Sequence, residues 1–168
     1  MAKASKNGTA QQFGHWFQGR VQVALDEMMQ KEPVFYQRLY DTASAATFLP
    51  KQPADFIGTG YGKGFIIEAK ASMKYNQLEQ PGALRSLLKD HQALACRLQA
   101  RAGGIGLVVF YSKQGSLEVW DGAVVREVYI TPRAQLSRAD GLLKCQPNVD
   151  EADVVPTLKT LLSEVLQK

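Results

Sequence analysis

Three side chains within residues 53–72 are of types that do chemistry together: Asp55, Glu68 and Lys70. The stretch runs Pro-Ala-Asp-Phe-Ile-Gly-Thr-Gly-Tyr-Gly-Lys-Gly-Phe-Ile-Ile-Glu-Ala-Lys-Ala-Ser. Phe65-Ile66-Ile67, apolar and bounded by glycines, predicts a short buried strand. Side chains alternate along a strand, so Glu68 and Lys70 share one face and Ile67 and Ala69 the other. A hairpin turn within 58–64 folds Asp55 back beside Glu68. Two carboxylates with an ammonium alongside suit a hard divalent cation, Mg²⁺ or Mn²⁺, and a water. Read without chemistry, Glu68 and Lys70 are exposed strand-end charges and Asp55 caps a turn.

Other chemistries find little support. The glycine-rich 58–64 segment lacks the Gly-Lys-Ser/Thr ending of a nucleotide-binding loop, and no helix follows it. It reads as a hairpin turn. His15 and His91 are the only histidines, and neither has the partners of a Ser-His-Asp or Cys-His set. Cys96 and Cys145 form no CxxC pair and reach no zinc-ligand spacing with the histidines. Cys96 falls on an apolar helix face and reads as core. No disulfide is expected in a reducing compartment.

The elements that must position these residues follow from periodicity. Phe13, Trp16, Phe17, Val21, Ala24, Leu25 and Met28 recur at helical spacing and predict a helix over 11–31, stopped by Pro33. Residues 34–41, rich in aromatics, predict a strand. A small-residue and polar loop over 42–52 leads to a short strand from near Asp55. Pro81-Gly82 opens a long helix over 82–102, with Leu84, Leu87, Leu88, His91, Leu94, Ala95 and Leu98 near one face, and Gly103-Gly104 ends it. Residues 105–112 are a second apolar strand, turned by Gln114-Gly115 into 117–120. After a turn at Asp121-Gly122, residues 124–130 read as a further strand. Residues 131–147 give a short helix after Pro132 and then loop. Residues 153–167 close the chain as an amphipathic helix. The order α-β-β-β-α-β-β-α implies an α/β fold, a mixed sheet with helices packed on it.

Pro53-Ala-Asp55 followed across a glycine-rich turn by Glu68-Ala-Lys70 resembles the PD-(D/E)xK nuclease motif. Within that superfamily the chain looks most like the RecU-type Holliday junction resolvases of bacteria and phages. The likeness lies in the Asp55-to-Glu68 spacing, the Tyr61-Gly-Lys-Gly turn, the Glu68-Ala-Lys-Ala-Ser72 ending and a following helix with Asp90-His91-Gln92. It covers roughly residues 13–121. It implies a restriction-endonuclease-like fold and an Mg²⁺- or Mn²⁺-dependent endonuclease. Asp55, Glu68 and the Ala69 carbonyl would hold the metal, and Lys70 would act on the attacking water or the developing charge. The family often carries an acid on the first helix, in Gly-x-x-(Phe/Leu)-Glu. Here Gly14-His-Trp-Phe-Gln18 puts Gln18 there, either as a catalytic-site residue that holds a second metal less firmly or as a plain polar helix residue. Asp26 and Glu27 are offset from that motif and read as solvated.

Arg38, Lys51, Gln52, Lys63, Lys74, His91 and Gln92 flank this region and are candidate DNA contacts, with Tyr75 beside them. Taken singly, the cations also read as a solvated scatter, and His91 as a helix-face residue packed at the core edge. The 168-residue chain suits one domain, 11–168, after a disordered polar start over 1–10. The net charge of +4 is compatible with a polyanion partner. No membrane-length apolar run or signal core occurs, so a cytoplasmic protein is expected, in the host cytoplasm for a phage-encoded chain. The expected partner is branched DNA, a four-way junction, cut symmetrically by a homodimer. Two alternatives stay open: another nuclease on the same scaffold (restriction, repair or nicking), or a weakly catalytic DNA-binding module.

Overall fold

A computed structural model of the chain describes residues 9–40 and 52–168. Lys51, nearly all of the expected polar start and most of the 42–52 loop lie outside the described residues.

Helix α1 spans Ala10–Lys31. Thr9 caps it: its hydroxyl accepts from the Gln12 amide at 3.3 Å, and the Gln12 side chain accepts from the Thr9 amide at 2.9 Å. The predicted apolar stripe is its buried face, with Phe17, Val21, Ala24, Leu25 and Met28 inaccessible to solvent. Strands β1 (Val34–Arg38), β2 (Phe56–Gly60) and β3 (Lys63–Ser72) then form an antiparallel meander. Helices α2 (Ala83–Leu87) and α3 (Asp90–Arg101) cross over to β4 (Ile105–Ser112), which runs parallel to β3. Strand β5 (Leu117–Asp121) returns antiparallel. Helices α4 (Gly122–Ile130) and α5 (Arg138–Gly141) lead to an antiparallel edge strand β6 (Leu142–Gln146), and α6 (Val154–Leu166) ends the chain. The result is a six-stranded mixed sheet whose spatial order equals its chain order.

Helices cover both faces. On one side α1 and α6 pack on Phe56, Phe65, Ile67, Leu107, Val109 and Val119. On the other, α3 and α4 pack on Ile66, Val108, Phe110 and Trp120. Helix α3 lies close to β4 because residue 106 is glycine: a Cβ there would collide with the Cys96 backbone. Among the described residues no helix is long and apolar enough to cross a membrane.

Several expectations need correction. Residues 124–130 are helical, not a strand. The Asp121 carboxylate accepts from the Ala123 amide at 2.8 Å and caps α4, and Val124, Val125, Val128 and Tyr129 then share one apolar helix face. The long helix over 82–102 is two helices, broken where Leu88 is extended (ψ 148°). The Gln92 side chain accepts from the Lys89 amide at 3.0 Å and starts α3 afresh. Ala93 and Cys96, not Leu94 and Leu98, face the core of α3; Leu98 is 51 % exposed. The short helix expected after Pro132 is α5, but the loop expected after it holds strand β6. Strand β1 stops at Arg38. Asp26 accepts from the Tyr36 hydroxyl, and Glu27 pairs with Lys159 at 2.6 Å, so neither is simply solvated.

Candidate active site

The hairpin between β2 and β3 turns on two residues, Tyr61 and Gly62, both with positive φ (51° and 82°). This geometry matches strand twist and favours glycine at its second position. The pairing runs from Gly60 with Lys63 to Phe56 with Ile67. One step further sets Asp55 opposite Glu68. Asp55 is tied in place through its backbone and its side chain. Its carbonyl accepts from the Leu39 amide at 2.8 Å. Carboxylate oxygen Oδ2 accepts from the Ala69 amide at 2.8 Å, and Oδ1 accepts from Gln18 Nε2 at 3.0 Å.

Glu68 is fully buried, and neither of its carboxylate oxygens has a well-aligned hydrogen bond. The Lys70 ammonium stands 2.7 Å from Oε1. That contact is close as an ion pair but misaligned as a hydrogen bond. Burial first, and then the neighbouring Asp55 charge, push the Glu68 carboxyl up to about 7, against the pull of Lys70 and of the Asp55 backbone amide. Burial also raises Asp55, opposed by the Ala69 amide, Lys70, Arg38 and Gln18. Cys96 on α3 lies over this site. Burial, then the Glu68 charge, push its thiol up to about 12, so it stays a neutral core residue.

A buried carboxylate without a well-aligned hydrogen bond, beside a second carboxylate, is an arrangement that folding alone does not favour. A divalent cation would give the unsaturated carboxylate oxygens a partner. The donor set fits a hard ion: two carboxylates, with the carbonyl of Ala69. In a strand a residue's N–H and C=O turn to the same side, and the Ala69 N–H faces Asp55. Among the described residues no three His, Cys, Asp or Glu side chains gather as a metal cluster, so phosphate or water oxygens would have to complete the shell.

The structure brings Asp55, Glu68, Lys70, Gln18 and Arg38 together. Arg38 Nη1 donates to Gln22 Oε1 at 2.6 Å, and its guanidinium lies 4.9 Å from the centre of the Tyr40 ring. Sequence reasoning missed Gln22, although its place four residues after Gln18 on one helix face was a usable signal. Gln52 reaches the Tyr40 carbonyl at 3.4 Å, at the edge of this cluster. Lys74 is exposed just past the end of β3, its ammonium 5.0 Å from the Tyr75 ring centre. Lys63 sits at the opposite end of β3, roughly 17 Å along the strand from Glu68. His91 is half-buried in the first turn of α3. Gln92 spends its acceptor on the Lys89 amide and serves α3 itself.

No protein-family model matches the chain, and no curated protein matches it.

Proposed function

We propose that the chain is a divalent-metal-dependent endodeoxyribonuclease with a restriction-endonuclease-like fold, acting on four-way DNA junctions as a cytoplasmic homodimer. One observation carries the nuclease reading: Asp55 and Glu68 meet across the β2–β3 hairpin beside Lys70, with the Glu68 carboxylate buried and without a well-aligned hydrogen bond. Support for the fold comes from a helix followed by three meandering strands, a helical crossover and a parallel fourth strand, with the acidic pair in the hairpin. The choice of junctions among DNA substrates rests on the resemblance of the 53–72 motif. A net charge of +4 agrees with a phosphate-rich partner.

In this mechanism Asp55, Glu68 and the Ala69 carbonyl would hold Mg²⁺ or Mn²⁺. When bound, the ion lowers the pKa of a water and neutralises charge on the reacting phosphate. The Ala69 amide and Gln18 hold the Asp55 carboxylate in place beside Glu68. Lys70 orients the attacking water or stabilises the charge that builds on the phosphate oxygens.

The test compares a synthetic four-way junction with linear and nicked duplex, with and without Mg²⁺. Mg²⁺-dependent nicking of the junction alone is the expected result. Equal cutting of duplex moves the reading to another nuclease on this scaffold, and tight binding without cutting moves it to a DNA-binding module. Asp55→Asn and Lys70→Ala should each lower cleavage by at least about 100-fold while junction binding persists. Wild-type cleavage by Lys70→Ala would remove its assigned role.

A further inference from the structure

Gln18 and Arg38 form a linked pair against Asp55, and the amide of Gln18 is fixed at both ends. Its Nε2 donates to Asp55 Oδ1 at 3.0 Å, and its Oε1 accepts from Arg38 Nη2 at 3.4 Å. The reverse orientation would turn an oxygen toward a carboxylate and an NH₂ toward a guanidinium, with no hydrogen bond at either end. Arg38 is held in turn. It donates to Gln22 at 2.6 Å, and its guanidinium lies 4.9 Å and 5.9 Å from the ring centres of Tyr40 and Phe56. The one acceptor atom of Gln18 therefore faces a fixed positive charge. A cation drawn to that oxygen would meet the guanidinium, whose like charge opposes it. Both Asp55 oxygens already accept one hydrogen bond each, which fixes the carboxylate plane.

We propose that Gln18 and Arg38 are positioning residues that lock Asp55 and stand in place of a second divalent cation, so that the site works with one ion. This rests on the metal site of the nuclease reading, the Asp55–Glu68 pair, and not on the cleavage itself, and adds the number of ions to it. It also assigns Arg38 to the site, and not to a DNA phosphate.

The test is Mn²⁺ titration calorimetry on the full chain without DNA, with thermal melts to verify folding. Wild type should bind one ion per chain. Gln18→Met removes both hydrogen bonds at similar volume; it should keep that stoichiometry and weaken affinity on the order of 10- to 100-fold, as loss of an outer-shell partner does. Gln18→Glu should still bind one ion, because the new carboxylate pairs with Arg38. The double variant Q18E/R38Q places three carboxylates together with no guanidinium, and should bind two. Two ions or none on wild type, or unchanged affinity in a folded Gln18→Met, overturns the proposal; so does a single ion on a folded double variant. The two readings fail separately. One bound ion with no cleavage of any DNA sinks the nuclease reading and leaves this one standing. Cleavage with two bound ions does the reverse.

Discussion

Glu68 and Glu118 are both fully buried glutamates on the same face of one sheet, two strands apart, and they are built in opposite ways. Glu118 is surrounded by donors. Its carboxylate accepts from the Leu78 amide at 3.1 Å, Trp120 Nε1 at 2.8 Å, the Ser116 hydroxyl at 3.1 Å and Arg138 Nη2 at 3.1 Å. These bonds tie the 73–82 connection, β5 and α5 together. Glu68 has one misaligned ammonium, the Asp55 backbone amide and a second carboxylate as neighbours, and no well-aligned hydrogen bond. A buried charge that folding uses for structure is saturated with hydrogen bonds. One left unsaturated costs stability and is retained where it has another task. The difference marks Glu118 as architectural and is what the proposed metal site at Glu68 rests on, although each is an acid within an apolar strand.

Three substitutions can break that contrast. Glu118→Ala strips the acceptor from two buried donors, the Leu78 amide and the Trp120 indole, and should lower unfolding free energy by about 3 kcal/mol in urea titrations. A loss below about 1 kcal/mol would remove the structural role given to it.

Glu68 should show itself through pH. Its folded-state carboxyl titrates near 7, above the ordinary value of 4.5, so the folded protein holds a proton that the unfolded chain releases. Stability is then full below about 4.5 and falls as pH rises through about 7, by on the order of 3 kcal/mol in metal-free protein. Glu68→Gln should flatten this slope to whatever Asp55, raised in the same direction, contributes. Urea midpoints measured at about pH 5 and about pH 8 for both proteins decide it. Parallel slopes would mean that Glu68 is not held as a buried, unsaturated acid.

The smallest effect belongs to the turn that joins Asp55 to Glu68. Gly62 has φ 82°, so Gly62→Ala should cost about 1 kcal/mol without shifting the strand pairing. Amide exchange across β2 and β3 reads the pairing directly. A slipped register would part Asp55 from Glu68 and should abolish the proposed cleavage, which would make the turn part of the proposed site.

Much of the scaffold was legible because its signals are local. The apolar stripe on α1, the stop at Pro33 and the glycine turn between two short strands follow from spacing and from glycine's tolerance of positive φ. So did the run of β4. The facing of Asp55 and Glu68 followed from the same turn, since a two-residue loop sets the register. Residues 124–130 misled because valines favour strands in isolation, while a cap from Asp121 and a face against Trp120 make them helical. The break at Leu88 and the half-exposed edge strand β6 carry weak periodicity and depend on what packs beside them.

Residue types and spacing alone determined that two acids and a lysine converge at the end of a hairpin, because strand alternation and turn length are properties of the local chain. Whether those charges are paired was decided only by the tertiary structure. Donors to Glu118 come from residues 2 to 40 positions away, and the partners that fix Asp55 come from α1, β1 and β3. Hydrogen bonding and burial act across space, so an acid saturated by its fold and an acid left for chemistry look the same in a string of letters.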